Sequence, residues 1–492
     1  MEFHWENIFS PLGLISAFLG ASLGIIWGCL PGLSATMAMA LLVGLTYNMP
    51  VEVAVIFMMA VYTGVEFGGA ISAILVNIPG TPAAVPTQLA GHPLAQRGQG
   101  GQAIGTALLF SFLGNWIGIL ALILTVPFMI SVALRFSSWE MFLLALLGVA
   151  ISGTLTSKEE PIKGWAMGCI GLLIATIGKE GVYGVERFTF DIGELSSGIR
   201  FIPVLIGLFG LTEVFNVLSR SSGYVLPSQV GGILPSFSLI RDYWKSGIRS
   251  GLIGTLIGAV PGAGANIASF VSYTVGEQVT GKKFSKGDLE GVVCSEVANN
   301  ANIGGGLLPT LTLGIPGNNS CALFLAALSL HGIIVGPNIE INQPGFMYFL
   351  YTALLVANFF MYLSAFSLIK PSVFMFSLPT YFVMPVIAVL CLIGTYATNY
   401  SNFDLFIMFF SGLIGYGLVK LGYPFAPLVL GMILGPLADE NLRRTLLIHE
   451  GNYEELLLRP IGLILIVAVV WSFYFGIKRS RLETKRLKSE ED

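Results

Sequence analysis

The stretch LGIIWGCLPGLSATMAM, Leu23–Met39, decides how this chain is read, because it opens as a lipid-crossing helix and cannot continue as one. Pro31 removes a backbone donor and Gly32 favours irregular φ/ψ, so the helix must open there before Ala35–Val43 can resume it. Unpaired backbone groups are costly in hydrocarbon, and open backbone at membrane depth has to face protein or a water-filled cavity. The break therefore points to a cavity.

Composition supplies the membrane. Hydrophobic residues make up 54% of the 492 and charged residues 11%, against about 25% charged in an ordinary soluble domain. Apolar runs such as Pro11–Leu30 and Pro460–Ile477 recur along the chain, each near the roughly 20 residues that cross about 30 Å of hydrocarbon. They are continuous rather than alternating, which selects helices over a β-barrel. The expected fold is an all-α polytopic membrane protein of about 10–12 spans. Candidate spans lie near 11–30, 51–76, 104–133, 138–155, 162–178, 201–219, 246–260, 345–370, 379–398, 402–421, 424–436 and 459–477.

Charge orients the chain. No Lys or Arg precedes Arg97, whereas 478–492 carries Lys478, Arg479, Arg481, Lys485, Arg486 and Lys488, so this tail is expected in the cytoplasm. Met1–Ser10 has no cation and lacks the basic region of a cleaved signal peptide, so it is expected outside. A net charge of −3 without a basic stripe predicts no nucleic-acid partner. The five cysteines form no CxxC pair and His4, His92, His331 and His449 are widely separated. No metal, cofactor or enzymatic centre is expected, and no HExxH or GxSxG motif occurs.

The opening stretch has a counterpart, IGTLIGAVPGAGANIAS at Ile253–Ser269, which matches it at six of 17 positions without a gap. A second pair, YTGVEFGGAISAILVNIPG at Tyr62–Gly80 and NNANIGGGLLPTLTLGIPG at Asn299–Gly317, shares the Gly-Gly pair and the final Ile-Pro-Gly. The two pairs keep their order, at offsets of 230 and 237 residues. Duplication is the expected origin: one transmembrane domain, 1–492, with repeat one at about 11–219 and repeat two at about 246–447.

Around Ile78-Pro79-Gly80 and Ile315-Pro316-Gly317 the apolar arms are short: Phe67–Val76 with Ala83–Ala90, and Leu307–Leu313 with Cys321–Leu330. Ten residues of helix reach about 15 Å, half a bilayer, which predicts two re-entrant hairpins. Where an outgoing helix begins, free N–H groups and the positive dipole end favour an anion. The expected substrate-binding residues are Ser34, Thr36, Asn77, Pro79, Gly80, Thr81, Gly264, Asn266, Gly317, Asn318, Asn319 and Ser320. Backbone freed at Pro31, Gly32 and Gly262, with Asn299, Asn300, Thr310 and Thr312, is the expected cation site. Glu66 and Glu296 are intramembrane carboxylates and so functional candidates. His92 and Arg97 fall in a stretch expected to be a cytoplasmic loop. A single Pro-Gly step is an ordinary kink; four in two matched pairs mark a secondary transporter's site.

At these residues the chain resembles the tripartite tricarboxylate transporter family, large membrane (TctA) subunit. The strings are GCLPGLSATMAMALL (28–42), YTGVEFGGAISAILVNIPGTPAAV (62–85), GHPLAQRGQGG (91–101), GAVPGAGANIASFVSY (258–273) and EVANNANIGGGLLPTLTLGIPGNNSCALFLAALSLHGIIVGP (296–337), within about 13–447. The resemblance implies a bacterial inner-membrane secondary transporter of small carboxylates, driven by a Na⁺ or H⁺ gradient. It also implies a small TctB-like membrane subunit and a TctC-like periplasmic solute-binding protein as partners, and leaves a homo-oligomer open. Asn318-Asn319-Ser320 stands where the family more usually has Ser-Ala-Ala, so citrate itself is not singled out. An intramembrane enzyme and an ion channel are the alternatives.

Overall fold

A computed structural model describes residues 2–30, 34–156, 160–219, 237–375, 380–450 and 454–491. Pro31 and Gly32 lie outside them. The first half runs α1 (Pro11–Cys29), α2 (Ala35–Thr46), α3 (Val51–Val76), α4 (Val85–Gln96), α5 (Gly100–Ala133), α6 (Ser138–Thr156) and α7 (Pro161–Ala175). A two-residue antiparallel ribbon follows, Gly178–Lys179 against Glu186–Arg187. One helical rod then comprises α8 (Phe201–Leu205), a π-helical segment Ile206–Leu211 and α9 (Thr212–Leu218). The second half runs α10 (Ser238–Gly258), α11 (Gly264–Thr280), α12 (Leu289–Leu313), α13 (Asn319–Leu330), the short α14 (Ile339–Asn342), α15 (Phe346–Met375), α16 (Thr380–Asn399), α17 (Asn402–Lys420) and α18 (Ala426–Ile448). The one-turn α19 (Glu454–Leu458) leads into the terminal α20 (Pro460–Glu491).

The protein is a multi-pass, essentially all-α membrane protein. Eight helices among the described residues are long and apolar enough to cross a bilayer, fewer than the 10–12 expected. The shortfall is one of length and charge. Of the expected spans, 162–178 and 379–398 fall on apolar helices shorter than 18 described residues, Pro161–Ala175 and Met384–Asn399, while α10 carries Arg241, Asp242, Lys245 and Arg249 and α18 carries Asp439, Glu440, Arg443 and Arg444.

Glycine lets the central helices touch backbone to backbone. A Cβ on Gly24 of α1 would lie 2.5 Å from the Val61 carbonyl oxygen of α3, and one on Gly28 would lie 2.3 Å from that of Val65. In the second half a Cβ on Gly254 of α10 would meet the Ala298 carbonyl oxygen of α12 at 2.4 Å, and one on Gly258 that of Asn302 at 2.8 Å. Likewise Gly68 abuts the Ile25 oxygen and Gly305 the Thr255 oxygen. Each contact in one half falls on the positions that the 230- and 237-residue offsets assign in the other. Packing of this kind admits no side chain at all.

The hairpin arms differ from expectation. α3 and α12 are continuous helices of 26 and 25 residues, about 39 and 37 Å long at 1.5 Å per residue. They run on for nearly two turns beyond Gly69 and Gly306, and turn at residues in the left-handed region, Asn77 (φ 58°) and Gly314 (φ 71°). The Pro-Gly segments then fold back along the helix just left: Gly80 N–H donates to the Gly69 carbonyl at 3.3 Å, and Gly317 N–H donates to Thr310 Oγ1 at 3.3 Å. The arm Phe67–Val76 is the end of the expected span 51–76, whereas Leu307–Leu313 is the end of α12, a helix missed as an apolar run because its Glu296, Asn299, Asn300 and Asn302 are buried within the protein. His92 is also helical, within α4, its Nδ1 against the Ile74 carbonyl at 2.9 Å, while Arg97 caps that helix and donates to the Lys286 carbonyl.

Candidate functional site

Four helices begin at one cavity of about 790 Å³. Ser34, Ala35 and Thr36 bring the start of α2; Thr81, Pro82 and Val85 the entry to α4; Gly264, Ala265 and Asn266 the start of α11; and Asn318, Asn319 and Ser320 that of α13. The local sequence builds each end. Ser34 Oγ accepts from Met37 N–H at 3.1 Å, and Asn318 Oδ1 accepts from Cys321 N–H at 2.8 Å, two side-chain N-caps. Gly262 (φ 79°) turns the chain into α11 and donates its N–H to the Gly317 carbonyl at 2.9 Å, joining the second broken helix to the second Pro-Gly segment.

The walls are completed by Leu155 and Thr156 at the end of α6, Phe209 of the π-helical segment, Phe270 and Val271 of α11, and Ala426 opening α18. None of the lining residues is Lys, Arg or His, and Glu66 is the one charged residue among them. A smaller space of about 360 Å³ shares Ser34, Pro82, Val85 and Phe209 and is lined also by Pro79 and Gly80. Each helix N-terminus favours an anion by about 0.3–1 kcal/mol, more where partly buried. Four such ends are suited to an anion, and none of the described lining residues is basic.

Of the residues expected at a substrate, Ser34, Thr36, Thr81, Gly264, Asn266, Asn318, Asn319 and Ser320 line this cavity, and Pro79 and Gly80 line the smaller one. Asn77 and Gly317 line neither. Asn77 forms the left-handed end of α3 and accepts from Gln88 Nε2, and Gly317 is buried against Gly306. Asn318 is committed to protein contacts: besides its cap it donates to Tyr62 Oη (2.9 Å) and Asn302 Oδ1 (3.2 Å).

Of those expected at a cation, Gly262 lines the cavity, and Asn299, Asn300, Thr310 and Thr312 are buried in α12 outside its lining. Thr310 and Thr312 donate to the carbonyls one turn back, Gly306 and Leu308, at 2.6 and 2.7 Å. Asn300 accepts from Asn115 (3.3 Å) and donates to the Glu296 carbonyl (3.0 Å). Glu296 accepts from Thr87 Oγ1 and from Ser111 Oγ, the latter at 2.9 Å. Among the described residues no three of His, Cys, Asp and Glu group as metal ligands. The π-helical segment and the apolar wall residues gave no signal in the sequence.

The match to proteins of known family is broad. The family model for the tripartite tricarboxylate transporter TctA family matches residues 14–430. An uncharacterized 52.8 kDa protein of Agrobacterium vitis, named for its place in the TAR-I ttuC' 3' region, is 34% identical over 461 residues, 93% of this chain and 92% of its own. An uncharacterized protein of the TAR-II ttuC' 3' region of the same organism is 36% identical over 234 residues, 46% of this chain and 97% of its own. No solved structure matches the chain. With the greater part of its length covered by the family model, and a relative aligned almost end to end, this chain belongs to the tripartite tricarboxylate transporter TctA family.

Proposed function

We propose that the chain is the large membrane subunit of a bacterial inner-membrane importer of small carboxylates, driven by a Na⁺ or H⁺ gradient. Its partners are a small TctB-like membrane subunit and a TctC-like periplasmic binding protein, as the family implies. The observation that carries the reading is the meeting of four helix N-termini on a cavity with no basic side chain among the described residues. Such a site holds a carboxylate by backbone dipoles and N–H groups. It releases the anion more readily than a buried guanidinium would, as a carrier requires.

The site's two sides come from two inverted repeats, a reading supported by the register-matched glycine contacts of α1 with α3 and α10 with α12. Alternating access is elevator-like: α1–α4 and α10–α13, held together by those glycine contacts, carry the cavity past the outer helices. The C-terminal tail is cytoplasmic. Reconstituted protein with its two partners should accumulate labelled di- or tricarboxylate only under an imposed cation gradient. Free ion conduction without carboxylate would make it a channel instead. Crosslinks fixing α4 or α13 to the outer helices should stop uptake; undiminished uptake would remove the elevator.

A further inference from the structure

Three buried oxygens beside the cavity have no hydrogen-bond partner among the described residues: Glu66 Oε2, Thr81 Oγ1 and Asn299 Oδ1. They come from α3, from the segment entering α4, and from α12. Glu66 is 4% exposed, Thr81 1% and Asn299 fully buried, and Glu66 and Thr81 face the cavity. Asn299 is tied to the same spot, its Nδ2 donating to the Glu66 carbonyl at 3.4 Å. Thr81 Oγ1 sits 2.8 Å from where Gly69 lacks a Cβ, and Gly69 is one turn from Glu66 on the same face of α3.

The duplication sharpens this. The alignment that pairs 62 with 299 and 81 with 318 turns the bonded pair Tyr62–Asn318 into Asn299–Thr81. In the first pair the Tyr62 hydroxyl and the Asn318 amide bond at 2.9 Å. In the second, both oxygens are left open, as is Glu66 Oε2. A bonded pair in one half corresponds to two unpartnered oxygens in the other.

Buried carboxylates there call for a proton or a cation. One turn before Asn299 on α12 lies Glu296, fully buried, whose carboxylate accepts only from the hydroxyls of Thr87 and Ser111. None of the ion pairs among the described residues includes Glu66 or Glu296. The other titratable groups near Glu66 are Tyr62 and Cys321, neither of which supplies positive charge. Two buried carboxylates with no cationic partner among the described residues are strongly unfavourable as anions. A proton links two oxygens, whereas a hard cation gathers several from different elements.

We infer that Glu66, Thr81 and Asn299 bind one Na⁺ at the wall of the anion cavity, with Glu296 as the second carboxylate behind it. The inference rests on the import reading only for its consequence: the cation cancels the Glu66 charge that would otherwise repel the substrate, so each ligand strengthens the other's binding. Of the residues expected at a cation from sequence, Asn299 alone among those described has an open oxygen.

The test is Na⁺ binding to the full chain in detergent, read as a saturable rise in Tm with NaCl against choline chloride at fixed ionic strength, with no carboxylate present. Wild type should respond. Glu66→Gln and Asn299→Ala should raise the half-saturating Na⁺ by about tenfold or more, and Thr81→Val by about threefold. Thr125→Val, an exposed α5 hydroxyl bonded to its own helix, should match wild type. Should Glu66→Gln not fold, Thr81→Val and Asn299→Ala decide. Wild-type-like Na⁺ responses in the site variants overturn the site. A chain indifferent to Na⁺, whose Tm instead follows pH through Glu66, overturns it in favour of a proton. Na⁺ binding lost in the variants, in a protein that imports no carboxylate, supports the site while removing the import reading.

Discussion

The segments Tyr62–Ser72 with Gly80–Thr81 and Asn299–Pro309 with Gly317–Asn318 share one backbone plan and differ in chemistry. In both, a small residue faces a Pro-Gly segment folded back along its own helix, and in both the re-entering chain starts a 12-residue helix at the cavity. The side chains diverge at matched positions: Tyr62 against Asn299, Glu66 against Ile303, Thr81 against Asn318. Features made by backbone are therefore present twice, and the helix N-termini at the cavity are of that kind. Features made by side chains occur once, and the set of unpartnered oxygens on Glu66, Thr81 and Asn299 is of that kind.

The shared backbone plan should be the hardest part to disturb. A Cβ on Gly80 would lie 1.9 Å from the Gly28 oxygen, and one on Gly317 would lie 2.7 Å from the Gly258 oxygen and 2.5 Å from Gly306 Cα. Each Gly→Ala should cost about 3 kcal/mol or more, with Gly80→Ala the worse, measured by unfolding in mild detergent. The reverse order would break the equivalence. Next comes the cap asymmetry. Asn318→Ala removes bonds to Cys321, Tyr62 and Asn302 and should cost about 2–3 kcal/mol. Thr81→Ala, with no bond to lose, should cost under about 0.5 kcal/mol in the absence of Na⁺. Equal costs would erase the distinction between the halves.

Tyr62→Phe should cost about 1 kcal/mol, and a double-mutant cycle with Asn318→Ala should show coupling of about that size. A cycle that closes additively would mean the contact contributes nothing. The smallest effect concerns the turns. Asn77 and Gly314 hold the same left-handed conformation, and a Cβ on Gly314 would meet nothing closer than 3.7 Å. Swapping them, Asn77→Gly or Gly314→Asn, should shift stability by no more than about 0.5 kcal/mol. A larger loss would show that the two turns are not interchangeable.

Much of this was legible before folding because Gly and Pro act locally. Pro79-Gly80 and Pro316-Gly317 announce open backbone wherever they stand, and the residues just after them, Thr81 and Asn318–Ser320, do reach the cavity. What was not legible depends on who the neighbour is. Nothing in α12 says that Thr312 satisfies itself on Leu308 while Asn299 is left open, because that is fixed by α3 packing across it. Apolar runs also miss α12, although they find α3 at 51–76, since a buried Asn or Glu looks the same in a sequence whether it faces protein or water. Phe209 was unreadable for another reason: a π-helical segment such as Ile206–Leu211 contains no proline to betray it.

The glycine seams have a mechanical meaning. Where Gly24 and Gly28 rest on the carbonyls of Val61 and Val65, no flexible side chain lies between the helices to take up a small displacement. The register of such a pair is therefore discrete: it stays seated or it jumps a whole turn. By this packing α1 with α3, and α10 with α12, form doubled beams, each expected to move as one body in the proposed import cycle. Any sliding must occur along faces padded by larger side chains, and the seams thereby draw the line between what moves and what moves with it.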